Sequence, residues 1–108
     1  MKLIILISSW VILTASTFKS TWYGKSFHGQ YTFSGEVFDM NKLTCASNHF
    51  AIGTKLKVIN LENKKSVIVR VNDRGAMDRY IIDLSQGAFK RIANLDVGII
   101  NVKVKIIK

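Results

Sequence analysis

Val67-Ile68-Val69-Arg70-Val71-Asn72-Asp73-Arg74-Gly75, continued by Ala76-Met77-Asp78-Arg79-Tyr80-Ile81-Ile82-Asp83-Leu84-Ser85, is the stretch from which the fold is read. An apolar run breaks at Asn-Asp-Arg-Gly and restarts as Tyr-Ile-Ile-Asp-Leu. The first run, broken only by Arg70, is more continuously apolar than residues 55–60, as in a central strand. Each run carries a carboxylate at or near its end, Asp73 and Asp83. A carboxylate fixed on a rigid, partly desolvated element is suited to acid/base work.

Working outward, residues 55–60 alternate polar and apolar, which predicts a strand with one wet face. The polar residues 61–65 separate it from the strand at 66–72, so the two are expected to pair as a hairpin. Residues 101–106 alternate strictly and form a final strand, and Thr21-Trp22-Tyr23-Gly24 reads as a first strand ending in a turn. Residues 41–50 read as a loop with a helical turn. Ser85 is a helix N-cap, residues 86–93 are expected to be helical with Phe89, Ile92 and Ala93 on one face, and Asn94 is a left-handed helix end. Between residues 24 and 35, Gly24, Gly29 and Gly35 mark places where the backbone takes a positive φ or approaches something closely. The expected class is mainly β with one or two short helices. A small closed barrel is the economical way to hide sheet edges at this size.

The first sixteen residues stand apart. A basic Met1-Lys2, an apolar run over 3–13 and the small residues Thr14-Ala15-Ser16 follow the order of a secretory signal peptide, with cleavage after Ser16. The expected product is exported to the periplasm or cell envelope, with no stable membrane insertion after cleavage. Fifteen of the sixteen Lys and Arg and all seven Asp and Glu lie after residue 16, a formal charge of +8. So basic a domain favours anionic partners, and export turns that preference from nucleic acid toward an acidic wall polymer or a membrane surface. Cys45 is the one cysteine, so no intrachain disulfide forms, and it reads as a small buried side chain. No metal-ligand spacing, phosphate-binding glycine loop or Ser/His/Asp order is present, so no metal or cofactor is expected.

Trp22-Tyr23-Gly24, Phe27-His28-Gly29, Gly35-Glu36, Phe38-Asp39-Met40, Leu43-Thr44, Gly53-Thr54, Asn60-Leu61, Val69 to Gly75 and Ile81 to Ser85 together resemble the rare lipoprotein A family across residues 17–108. The resemblance implies a six-stranded double-psi β-barrel related to barwin and expansin domains, expected as a single domain. It also implies an endolytic lytic transglycosylase that cleaves peptidoglycan glycan strands and leaves 1,6-anhydro ends. The alternative is a non-catalytic, expansin-like module that binds or loosens the wall. Asp73 is the candidate acid/base, and Glu36 is the second catalytic candidate. Ser47, His28, Arg74, Tyr23 and Asp83 are candidate substrate contacts, Asp83 also being placed to bond the start of the following helix. Ser47 stands where the family typically has His, in Leu43-Thr44-Cys45-Ala46-Ser47, and His49 lies two residues on. Arg70 is a further candidate for holding acidic or acetamido groups. The chain is expected to act as a monomer.

Overall fold

The computed structural model describes residues 17–108, so the expected signal segment at 1–16 lies outside the described residues. Six strands close into a barrel: β1 (Thr17–Tyr23), β2 (Thr44–Ser47), β3 (Lys55–Asn60), β4 (Ser66–Asp73), β5 (Ile81–Ser85) and β6 (Ile100–Ile107). Around the barrel the order is β1-β5-β2-β4-β3-β6. The β1–β5 and β2–β4 pairs are parallel and the other neighbours antiparallel. The expected mainly-β, six-stranded closed barrel is therefore what the chain forms.

The expected hairpin is present: Leu56 faces Val69 and Val58 faces Val67, which puts the apolar face of β3 beside that of β4. Leu56, Val58, Val69, Val71, Ile82, Leu84, Phe89, Ile92 and Val102 are all buried in one cluster. Each such side chain contributes roughly 1.5–3 kcal/mol on leaving water, which lets a barrel of this size stand without a disulfide. Cys45 lies in this cluster, fully buried, and burial together with the charge of Asp83 pushes its thiol up to about 12. It is a packing residue rather than a nucleophile.

Three local expectations are corrected. Residues 44–47, read as loop, are the central strand β2, and all four are buried. A strand covered on both faces shows no alternation, so its period was invisible. The helix is one turn, α1 (Gln86–Phe89), capped as expected by Ser85 Oγ accepting from Ala88 N at 3.2 Å. It does not run on to residue 93. The chain tightens there into three-residue turns, and the Ile92 carbonyl is taken by Asn60 Nδ2 at 2.8 Å and Asn63 Nδ2 at 2.9 Å. Asn94 is not a left-handed end: its φ is −74°, and its side chain accepts from Asp96 N to start a short 3-10 turn at Leu95–Val97. A second 3-10 turn spans Lys25–Phe27. Gly29 and Gly35 do take a positive φ, whereas Gly24 marks a close approach, a Cβ there lying 3.2 Å from Gln86 Cβ.

Candidate functional site

Three strands bring the two central carboxylates together. Ala46 on β2 pairs with Asp73 on its β4 side and with Asp83 on its β5 side. With strands about 4.8 Å apart, the two aspartates are separated by two strand spacings, and only a methyl group stands between them. The register slips beside Ala46 on the β4 side, a bulge that re-aims the end of β4. The row continues to Thr21 on β1, opposite Asp83. Period-2 alternation then puts Tyr23 on the same outer face as Thr21.

The result is a cleft of about 270 Å³ lined by Tyr23, Phe27, Ala46, Asp73, Arg74, Gly75, Ala76, Met77 and Asp83. Tyr23 and Phe27 also border a shallower groove running over Trp22, Lys25 and Gln86. Cleft and groove therefore share the Tyr23–Phe27 wall.

Asp73 is held from three directions. Its Oδ1 accepts from Phe33 N and Arg74 N, each at 2.9 Å, and its Oδ2 meets the Tyr23 hydroxyl at 3.4 Å. Asp83 has one polar partner of this kind, Thr21 Oγ1, which donates to it at 2.9 Å. Burial raises the pKa of Asp83; the Thr21 hydrogen bond opposes that rise and the charge of Asp73 adds to it. Asp83 faces this cleft, while the helix start is capped by Ser85 alone. The Tyr23 phenol is held well above its ordinary value by burial and then by the charges of Asp73 and Asp83. It therefore stays a neutral donor. Its ring stacks on buried Phe38, centroids 4.4 Å apart, with Phe27 edge-on at 5.8 Å.

Glu36 stands beside this cleft rather than in its lining. Arg70 grips it with two hydrogen bonds of 2.8 and 2.9 Å, and Asn72 Nδ2 donates at 3.1 Å. These partners, Arg70 first, hold the Glu36 carboxyl below its ordinary range. The clamp ties the loop carrying Phe33 to β4, and so supports the Phe33 N–H that reaches Asp73. Arg70 is thereby committed to Glu36. Arg74 makes no ion pair with Asp73. Its guanidinium donates to the carbonyls of Ser47 and, at 2.7 Å, Phe50, and lies over the Phe33 ring at 5.6 Å.

Ser47 is fully buried, its Oγ accepting from His49 N at 3.0 Å and Phe50 N at 3.1 Å. It shapes the turn whose carbonyls hold Arg74. His28 accepts from Met40 N at 3.1 Å and anchors its loop. His49 points away from the cleft, into Phe18, Phe50 and Tyr80, with Arg79 donating to its Nδ1. Trp22 turns inward and donates to Leu95 O at 3.0 Å.

Sequence reasoning missed Thr21, Ala46 and Asn48. Thr21 was signalled by its two-residue spacing from Tyr23. Ala46 carried no signal, since its importance is its smallness. Asn48 donates to Gly75 O at 2.6 Å and Met77 O at 2.8 Å, fixing the loop that forms the cleft's far lip. Among the described residues no group of three His, Cys, Asp or Glu is placed to hold a metal ion.

Comparison with known proteins matches residues 15–104 to a family described as "Lytic transglycolase". The "Endolytic peptidoglycan transglycosylase RlpA" of Vibrio cholerae is 46% identical over 90 residues, covering 82% of this chain and 34% of that protein. The protein of the same name from Pseudomonas aeruginosa strain UCBPP-PA14 is 46% identical over 88 residues, covering 80% of this chain and 26% of that one. The chain thus spans about a third or less of the length of these relatives. Among solved structures, Streptomyces papain inhibitor superposes with a TM-score of 0.67 at 28% identity, covering 83% of this chain and 93% of that one. The apo expansin of Clavibacter michiganensis gives 0.70 at 19% identity, covering 87% and 50%, a likeness of fold.

Proposed function

The chain belongs to the lytic transglycolase family, and from that membership we propose that it is an exported enzyme cutting peptidoglycan glycan strands without water. The observation that carries the reading is the placement of Asp73 and Asp83 on either side of Ala46 in one cleft.

The reaction breaks the bond from C1 of N-acetylmuramic acid to the leaving sugar's oxygen, and forms a bond from the muramic acid's own C6 oxygen to its C1. One group must give a proton to the leaving oxygen, and one must take the proton of the C6 hydroxyl. Asp83, kept protonated more readily by burial, is the acid. Asp73, fixed by three donors, faces the positive charge that develops at C1 and takes the C6 proton. Exchange with water then resets both carboxyls. Two groups in unlike environments can divide acid and base roles in this way. Tyr23 orients Asp73, and the groove along Phe27 and Lys25 receives the glycan on one side of the cut. Glu36 positions the Phe33 loop through Arg70, and Ser47 positions Arg74.

The test is incubation of residues 17–108 with glycan strands stripped of stem peptides, with products read by mass spectrometry. The expected result is 1,6-anhydro-N-acetylmuramic acid ends from the wild type, and their loss by about 10²–10⁴-fold in Asp73→Asn and in Asp83→Asn. Binding of glycan by the wild type with no such ends would overturn catalysis and leave an expansin-like binding module.

A further inference from the structure

The barrel wall opposite the cleft has a chemistry the proposed reaction does not use. In the closed order β1-β5-β2-β4-β3-β6, the strands β3 and β6 lie across the barrel from β5 and β2. Their outward residues include Lys55 and Lys57 on β3, and Lys103 and Lys105 on β6. Lys57 is paired directly with Lys105. Like charges placed directly opposite each other destabilise a sheet, so their juxtaposition calls for a reason outside folding. Opposite charge is missing from these two strands: none of the seven Asp and Glu lies on β3 or β6, and Glu36, at the β4 edge, is already taken by Arg70.

Isoleucines are set among these lysines. Ile68 pairs with Lys57 from the β4 side and is 51% exposed; Ile107 pairs with Lys55 and is 37% exposed. A soluble polyanion would use the lysines and gain nothing from exposed alkyl groups. A bilayer surface uses both. Lysines reach headgroup phosphates along their alkyl stems while the isoleucines settle below the headgroups.

We propose that the outer face of β3 and β6, with Ile68 of β4 beside it, is a docking surface for a bilayer rich in anionic lipid headgroups. The protein adsorbs without inserting, and the cleft on the opposite wall is turned away from the membrane.

The test uses residues 17–108, which hold all six strands and the described core. Cosedimentation is measured with vesicles of phosphatidylcholine alone and with vesicles containing phosphatidylglycerol. The expected result is salt-sensitive binding to the anionic vesicles at least about tenfold tighter than to the neutral ones. Lys57→Ser and Lys105→Ser should each weaken it by about fivefold. Neither should lower the melting temperature, because each relieves a like-charge opposition. Ile68→Ser should weaken vesicle binding while leaving retention on immobilised heparin unchanged. Lys90→Ser, at the end of α1 and off this wall, should bind as the wild type does. Equal binding to both vesicle types, or Lys57 and Lys105 variants that bind like the wild type, would overturn the proposal. So would an Ile68 variant with undiminished vesicle binding, which would mark the wall as a site for soluble polyanions.

Discussion

Asp73 and Asp83 lie on different strands, each paired to the same residue, Ala46, from opposite sides. That arrangement gives the site its width. The carboxylates come no closer than the β2 strand between them allows, and the small side chain on that strand leaves the space between them open. Width here is a property of the barrel, not of loops that can drift.

Ala46→Val is therefore expected to close the cleft without opening the barrel. Valine suits a strand, so the melting temperature should hold within a few degrees, while glycan cleavage falls by more than about tenfold through lost positioning. Parallel thermal denaturation and product assays check both halves.

Asp83 is a cleft residue that costs stability. Its folded-state pKa is raised by burial, so the folded protein holds that proton more tightly than the unfolded chain. Its contribution to stability is therefore greatest below the unfolded value and declines as pH rises through the folded one. Asp83→Asn keeps an oxygen for Thr21 and removes the buried charge. The variant should melt higher than the wild type at pH 7, with the gain shrinking toward pH 4, and should lack activity. Melting curves across that range settle the sign.

Glu36 and Arg70 should behave as one unit. Each of Glu36→Gln and Arg70→Gln should reduce cleavage to a similar extent, and the double variant should be little worse than either, because all three loosen the same loop. The stability cost should be about 0.2–1 kcal/mol, as for an exposed ion pair. It should vanish as pH falls through the lowered pKa of Glu36. Were Glu36 itself the acid, its loss would exceed that of Arg70 by orders of magnitude.

Ser47→Ala removes the acceptor for two backbone N–H groups in a buried turn. The expected cost is about 1–2 kcal/mol in urea denaturation. Cleavage should slow as well, because that turn supplies the carbonyls that hold Arg74. Ser47→His, the residue the resemblance leads one to expect there, must fit a larger ring into a fully buried position. It should destabilise by about 1–3 kcal/mol.

What the sequence revealed and what it hid follow from the range of the interactions. The strand before Asp73, the hairpin with residues 55–60 and the cap at Ser85 were legible because each is a local pattern of period, turn or spacing. The strand at Thr44–Ser47 was hidden because burial on both faces erases alternation. The short helix was hidden because what ends it, the side chains of Asn60 and Asn63, comes from another part of the chain. At the site, Asp73 was marked by its setting at a strand end. The partnership of Thr21 with Asp83, 62 residues apart, has no local trace. Glu36 shows the opposite case: a carboxylate between a glycine and an apolar run reads as chemical, yet Arg70 and Asn72 occupy it.

The closure of the barrel also sets a timetable. β1 is the first of the described strands to be synthesised, and its two neighbours, β5 and β6, are the last. Nothing made earlier can complete its ladder, so ring closure waits on β5 and β6, and the entropy of long loops must be spent before the contacts reward it. A chain emerging N-terminus first stays without its ring until β6 has been made.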